Sequence, residues 1–237
     1  MAGAQLARAG KARDSSDTKE RLLDAAERLL AEHGYEGTSL RAVTQAAGTS
    51  VSAANYHFGS KEELLRATLL RRVEPLNQRR LACLDDLEHA AGGAALSVEA
   101  ILDAYLRPLF AERSAGGDAP SAVRFVAARL YSDPPDLVSA LKQELFGEVS
   151  RRYLDALSRA LPGRSRAELG LRFQFAVGSM VHVMSGNLTD APHLKEAAAG
   201  DGGGPRGDAD LLSDASVLRH MVAFLAAGLR APVGDAQ

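Results

Sequence analysis

The chain has 237 residues, 46% of them hydrophobic, a net charge of −2 and one cysteine, so it can fold as one large domain or two small ones around a real core. Cys83 alone excludes an internal disulfide and a cysteine-rich zinc site. No apolar run reaches the roughly 20 residues of a membrane span, and MAGAQLARAGKARDSS lacks the apolar stretch of a signal peptide, so the expectation is a soluble, cytoplasmic protein with no membrane partner.

Charge is unevenly distributed. Residues 1–80 carry 13 Lys/Arg against 10 Asp/Glu, and the remainder carries 15 against 20. Residues 1–16, with Arg8, Lys11 and Arg13, read as a disordered basic arm that either follows a phosphate backbone or is only a leader. The first helix is expected to open on Asp17 as N-cap, with Glu20 three residues on in a capping box, and to end at Gly34. Leu22, Leu23, Ala26, Leu29 and Leu30 form its apolar face. After the turn Tyr35-Glu36-Gly37, Thr38 or Ser39 caps a short second helix running to Ala47, and Gly48 breaks it.

A third short helix is expected from about Ser50 to Phe58. After Gly59-Ser60 a long fourth begins at Lys61 and continues toward His89, kinked or split at Pro75. Further helices are read near 97–113, 121–132, 135–161, 165–187 and 208–231. Their separators are rich in Gly, Pro and Asp, and the stretch 190–207, with Gly202-Gly203-Gly204-Pro205, reads as a mobile loop. Apolar residues recur at helical spacing nearly everywhere, and no alternating β-branched segment is present, so the fold class is all-α.

Two short helices joined by a tight Gly-containing turn, the second opening on hydroxyl residues, have the plan of a helix-turn-helix. A helix enters the DNA major groove only if its exposed face carries short polar side chains near its N-terminus. Thr49, Ser50, Ser52 and Asn55 supply such groups here, and Ala53 and Ala54 leave the approach open.

The runs Thr38-Ser39-Leu40-Arg41, Ala46-Ala47-Gly48 and Asn55-Tyr56-His57-Phe58-Gly59-Ser60-Lys61-Glu62-Glu63-Leu64 resemble the DNA-binding signature of the TetR family, over about residues 17–66. The resemblance implies a three-helix DNA-binding domain over 17–63 and a larger helical effector-binding and dimerisation domain over 64–237. Its DNA-contacting set would be Thr38, Ser39, Arg41, Thr49, Ser50, Val51, Ser52, Asn55, Tyr56, His57 and Lys61. Arg41 matches a position suited to a bidentate guanine contact, and Tyr56, His57 and Lys61 match phosphate-contacting positions. Asn55 departs from the aromatic or aliphatic residue many relatives carry, so their base preferences do not transfer. Each residue also has a plainer reading: Tyr56 and Phe58 as core, His57 as a structural histidine, Arg41 as solvated, Lys61 as the start of a helix. A cation at a helix N-terminus does, however, ask for a compensating anion.

The resemblance further implies a homodimer joined through the last two long helices. Candidate seams are Phe173, Val177, Met180, Val181 and Met184 on one, and Leu218, Val222 and Leu225 on the other, the alternative being that both face their own core. For an effector, Tyr105, Phe110, Phe125 and Phe146 offer lining and Arg124, Arg129 and His182 offer polar or basic groups. The expected ligand is a largely apolar small molecule. No cofactor, metal site or catalytic constellation is read from the chain, which argues against an enzyme. The expectation is therefore a sequence-specific transcriptional regulator, by the family's habit a repressor, released from a palindromic operator by the ligand. The alternatives are control by a protein partner, or a helical enzyme or carrier.

Overall fold

The computed structural model describes residues 2–115, 126, 135–186, 192, 194 and 211–232, with side chains from residue 15 onward and, in the helix opening at Pro135, from residue 139. Eight helices and no strand occur among the described residues: α1 (Ala2–Gly37), α2 (Leu40–Ala46), α3 (Val51–Phe58), α4 (Lys61–Ala91), α5 (Val98–Ser114), α6 (Pro135–Ala160), α7 (Arg166–Met184) and α8 (Asp214–Arg230). The helix expected over 121–132 and the loop over 190–207 lie outside the described residues, apart from isolated positions. The chain divides into two compact units, residues 1–74 with 128–145 and residues 75–127 with 146–237.

In the first unit, Leu22, Leu23, Ala26 and Leu30 of α1 are buried, as are Val43 of α2, Ala54 and Phe58 of α3, and Leu65 and Leu69 of α4. The i, i+3, i+4 spacing that marked an apolar face on α1 is thus spent on the core. Arg71 reinforces this packing, reaching Asp24 at 2.7 Å and Glu27 at 2.8 Å across to α1, while Arg72 takes the other oxygen of Glu27. Arg66 holds Glu144 of α6 through both carboxylate oxygens, with Nε to Oε2 at 2.7 Å.

Two expectations need correction. Helical backbone runs upstream to Ala2, so Asp17 lies inside α1 and does not cap it, and residues 2–16 are helical where a disordered arm was expected. The segment is built largely of Ala, Leu, Gln, Lys and Arg, all strong helix formers, which outweigh a local cap signal. Of the two readings at Pro75, a kink or a split, the split is set aside, because Pro75 lies inside α4, one helix of 31 residues. The donor that Pro75 lacks falls where the two units divide. Gly34, by contrast, stops the regular helix as expected. Its φ of 74° and ψ of 178° are non-helical, a conformation open to glycine and costly for a side chain.

The second unit buries Leu84, Ile101, Leu102, Tyr105, Leu106, Leu109, Tyr153, Leu157, Leu169 and Phe173 in one cluster with the inner face of α8. Serine N-caps start three of its helices. Ser97, Ser165 and Ser213 accept from the backbone N–H three residues on, at 3.1 to 3.3 Å. The other end of α8 is capped by arginines: Arg164 donates to Arg230 O and Ala231 O at 2.8 and 2.7 Å, and Arg172 to Ala231 O at 2.7 Å. These satisfy carbonyls that no further helical N–H can reach.

Candidate nucleic-acid interface and the C-terminal helices

The two short helices are set by their caps. Ser39 accepts from Ala42 N and Ser50 from Ala53 N, each at 3.1 Å, so both serine hydroxyls are engaged at helix starts as well as exposed. Between the helices, Gly48 turns the chain with φ 61°, the left-handed region where a Cβ is penalised. Val43, Ala54 and Phe58 point inward. That orientation leaves Arg41 on α2 and Val51, Ser52, Asn55 and Tyr56 on α3 exposed, with Thr49 partly buried. Tyr56 is 82% exposed, which is a large aromatic surface for a residue with no core to fill. The half-buried His57 packs edge-on to the Tyr56 ring, with centroids 5.2 Å apart.

Thr38 does not join this exposed face. It is buried, and its hydroxyl donates to Leu29 O at 3.1 Å and to Gly34 O at 2.7 Å, which ties the end of α1 to the start of the helix-turn-helix. Its expected place in the contact set is corrected on that ground. Lys61 is partly buried and begins α4, but its ammonium sits 4.0 Å over the Tyr35 ring, and Glu62 follows it. The compensation that a cation needs at a helix N-terminus is therefore supplied within the chain by a ring face and a carboxylate. The Tyr35 hydroxyl donates to Glu62 Oε1 at 2.7 Å, and that bond, aided by backbone and Ser60 donors, holds the Glu62 carboxyl below the usual range. Sequence reading missed this Tyr35–Lys61–Glu62 cluster, because Tyr35 stood in a turn with no periodicity to betray it.

On α7 and α8 the expected seams mostly face their own unit. Phe173, Met180, Met184, Leu218, Val222 and Leu225 are buried, and Val177 and Val181 pack partly against the same cluster. The outward apolar side chains are instead Leu171, Phe175 and Phe224, at 58%, 62% and 74% exposure. A groove of about 690 Å³ runs between the two helices, lined among others by Gly178, His182, His220, Met221 and Phe224. α7 is apolar nearly all round, so composition alone could not tell the core stripe from the outer one.

Of the effector residues, Tyr105 and Phe110 are buried in the second unit and Phe146 is half-buried, while His182 lines the outer groove and not the core. Arg124, Phe125 and Arg129 lie outside the described residues. A further residue stands out in that core. Arg80 is 1% exposed. Its Nε donates to Tyr105 O at 2.9 Å, its Nη1 reaches Asn77 Oδ1 at 3.4 Å, its Nη2 meets Met180 Sδ at 3.1 Å, and its guanidinium lies 3.9 Å over the Tyr105 ring. Sequence could have flagged it, since Val73, Asn77, Arg80 and Leu84 recur at helical spacing on the buried stripe of α4. No group of three or more His, Cys, Asp or Glu that could hold a metal occurs among the described residues, and no described helix is long and apolar enough to cross a membrane.

Comparison with known proteins agrees with this architecture. The family described as bacterial regulatory proteins, tetR family, matches residues 22–68, and the one described as tetracyclin repressor-like, C-terminal domain, matches residues 103–228. The HTH-type transcriptional repressor AcnR of Corynebacterium efficiens is 43% identical over 51 residues, 22% of this chain and 27% of that protein. The chain thus spans about a quarter of the length of the AcnR relatives it matches. The HTH-type transcriptional regulator SrpR of Pseudomonas putida is 24% identical over 191 residues, 79% of this chain and 81% of that protein. Among solved structures, the fatty acid degradation regulator FadR from Bacillus halodurans superposes with a TM-score of 0.59 at 15% identity, covering 91% of this chain and 97% of that one. The TetR family transcriptional regulator PfmR from Thermus thermophilus gives 0.53 at 19% identity, covering 90% and 99%. At such identities the structural likeness speaks for the fold alone. With one family signature over the helix-turn-helix and the other over more than half of the chain, this protein belongs to the TetR family.

Proposed function

We propose that the protein is a non-enzymatic, DNA-binding transcriptional regulator of the cytoplasm, which works as a homodimer on a palindromic operator and is released from it by a small, largely apolar ligand. The observation that carries this reading is α3. Its inner face is pinned by Ala54 and Phe58, while Val51, Ser52, Asn55 and Tyr56 stand exposed on the other, the arrangement a recognition helix needs in the major groove. Ser50 and Thr49 at its start, Ser39 capping α2 and Arg41 on it, His57 behind Tyr56, and Lys61 opening α4 complete the proposed contact set. Arg41 and Asn55 read base edges, and Lys61, Tyr56 and His57 position the phosphates.

Dimerisation uses the outer stripe of α7 and α8, where Leu171 and Phe175 are exposed and Phe224 is exposed at the groove. A pair of protomers is what addresses two half-sites about one DNA turn apart. The ligand enters the helical domain over residues 64–237, in which Tyr105 and Phe110 belong to the buried core and Phe146 is half-buried. Selecting the full-length protein against a random duplex pool should enrich an inverted repeat with half-sites about 10 base pairs apart. A pool that stays unenriched, or that yields only a single unrepeated half-site, removes the operator reading.

A further inference from the structure

Arg80 is an unusual residue for a core. A buried cation is ordinarily paired with a carboxylate, because removing it from water without a counter-charge is costly. Among the described residues no carboxylate lies within ion-pairing distance of Arg80. One of its contacts has a structural reason. Nε donates to the backbone carbonyl Tyr105 O at 2.9 Å and so ties α4 to α5. The other end of the guanidinium has no comparable reason. Its two terminal nitrogens face an amide oxygen at the long limit of 3.4 Å and a thioether sulfur, the first a stretched contact and the second a weak acceptor for a charged donor. The Tyr105 ring face adds a partial counter-charge only.

We infer that the Nη1–Nη2 edge of Arg80 is a receiving site for the carboxylate of an otherwise apolar small molecule, which takes the place now filled by the Met180 thioether. This rests on the effector reading above and names the chemistry of its ligand. A carboxylate fits better than a phosphate. It matches the fork of the guanidinium with two oxygens and brings one charge to one cation, whereas a dianion would leave a surplus charge among apolar side chains. The rest of the ligand is apolar because the Tyr105 ring under the guanidinium is packed edge to face against Phe173 at 5.0 Å and Tyr153 at 5.1 Å. Burial there pushes the Tyr153 hydroxyl pKa upward, so it stays neutral, and it donates to Arg80 O at 2.8 Å. Met180 is unbranched and can swing to another rotamer more readily than a β-branched residue.

The test compares octanoate with octanamide, of equal length and differing in charge, by thermal melting of the full chain. Octanoate at about tenfold over half-saturation should raise the Tm by about 3–5 °C, and octanamide by clearly less. Arg80→Met should abolish the difference. Equal shifts for acid and amide across the six- to fourteen-carbon series, or no shift from either, overturn the inference. A second pair of variants is independent of any added ligand. Met180→Glu should melt higher than Met180→Gln at neutral pH, because the glutamate supplies the missing carboxylate. The reverse order overturns the inference, whatever the fate of Arg80→Met. Failure of the underlying effector reading shows differently: octanoate that binds through Arg80 yet leaves operator affinity unchanged sinks that reading and spares this one.

Discussion

Truncation of Phe224 tests where two protomers meet. Its side chain is 74% exposed on α8 and lines the groove against α7. Full burial of a phenylalanine contributes about 2.5 kcal/mol, so covering the exposed part contributes about 2 kcal/mol per protomer. A twofold interface uses each residue twice, which brings the loss for Phe224→Ala to about 4 kcal/mol per dimer, roughly a thousandfold in Kd. Leu218, one of the residues expected in the seam, is buried in its own unit. Leu218→Ala should therefore lower protomer stability by about 2–5 kcal/mol through the cavity it leaves, with association affected only as a consequence. Sedimentation velocity over a dilution series, beside thermal melts, separates the two. The reasoning is refuted if Phe224→Ala dimerises like the parent, or if Leu218→Ala dissociates the dimer while melting unchanged.

Other variants probe the remaining parts. Asn55→Ala should relax preference at one operator position, costing roughly 1–3 kcal/mol, whereas Lys61→Ala should weaken all duplexes alike and flatten the salt slope by about one. Matching sequence profiles for the two would contradict the division of roles. Thr38→Val keeps the shape but removes the donor to Leu29 O and Gly34 O, so the melt should show a loss of about 1–3 kcal/mol; an unchanged melt would deny that anchor its importance. Glu99 is held down from 4.5 to about 2 by its bond to Arg230. That stabilisation is complete above about pH 4.5 and fades as the pH falls toward 2. Both side chains are nearly half exposed, at 47% and 44%, so screening limits the pair to about 0.5 kcal/mol. Chemical denaturation of Glu99→Gln should differ from the parent by that amount at neutral pH and converge with it in strong acid. A gap that widens in acid would reverse the sign of the argument.

Much of the fold was legible because helices announce themselves through periodicity and stops. The spacing of Leu22, Leu23, Ala26 and Leu30, the breaks at Gly34 and Gly48, and the serine starts at Ser39 and Ser50 all found their expected physical use. What failed did so for identifiable reasons. Local cap chemistry at Asp17 lost to the helix propensity of the residues before it. Apolar character on α7 could not say which stripe faces inward, so Phe173 and Met180 stood between a seam and their own core, in which they are buried, and the exposed Phe175 and Leu171 were not singled out. Thr38 carries the same hydroxyl as an exposed contact residue, and only the carbonyls of Leu29 and Gly34 above it reveal its task. Arg80 reads as one more charge in a charged helix, although its register with Val73, Asn77 and Leu84 places it on the buried stripe.

The central claim, that this helical protein reads a DNA sequence, is tested most directly by titrating the full chain with its selected palindrome and with a scrambled duplex of the same length over a series of salt concentrations. The account predicts that both affinities fall steeply and linearly on a log–log plot, because phosphate contacts release counterions. The palindrome should stay tighter by about a thousandfold or more throughout, because base contacts add to those with phosphates. Equal affinity for the two duplexes at every salt concentration, or binding indifferent to salt, would contradict it.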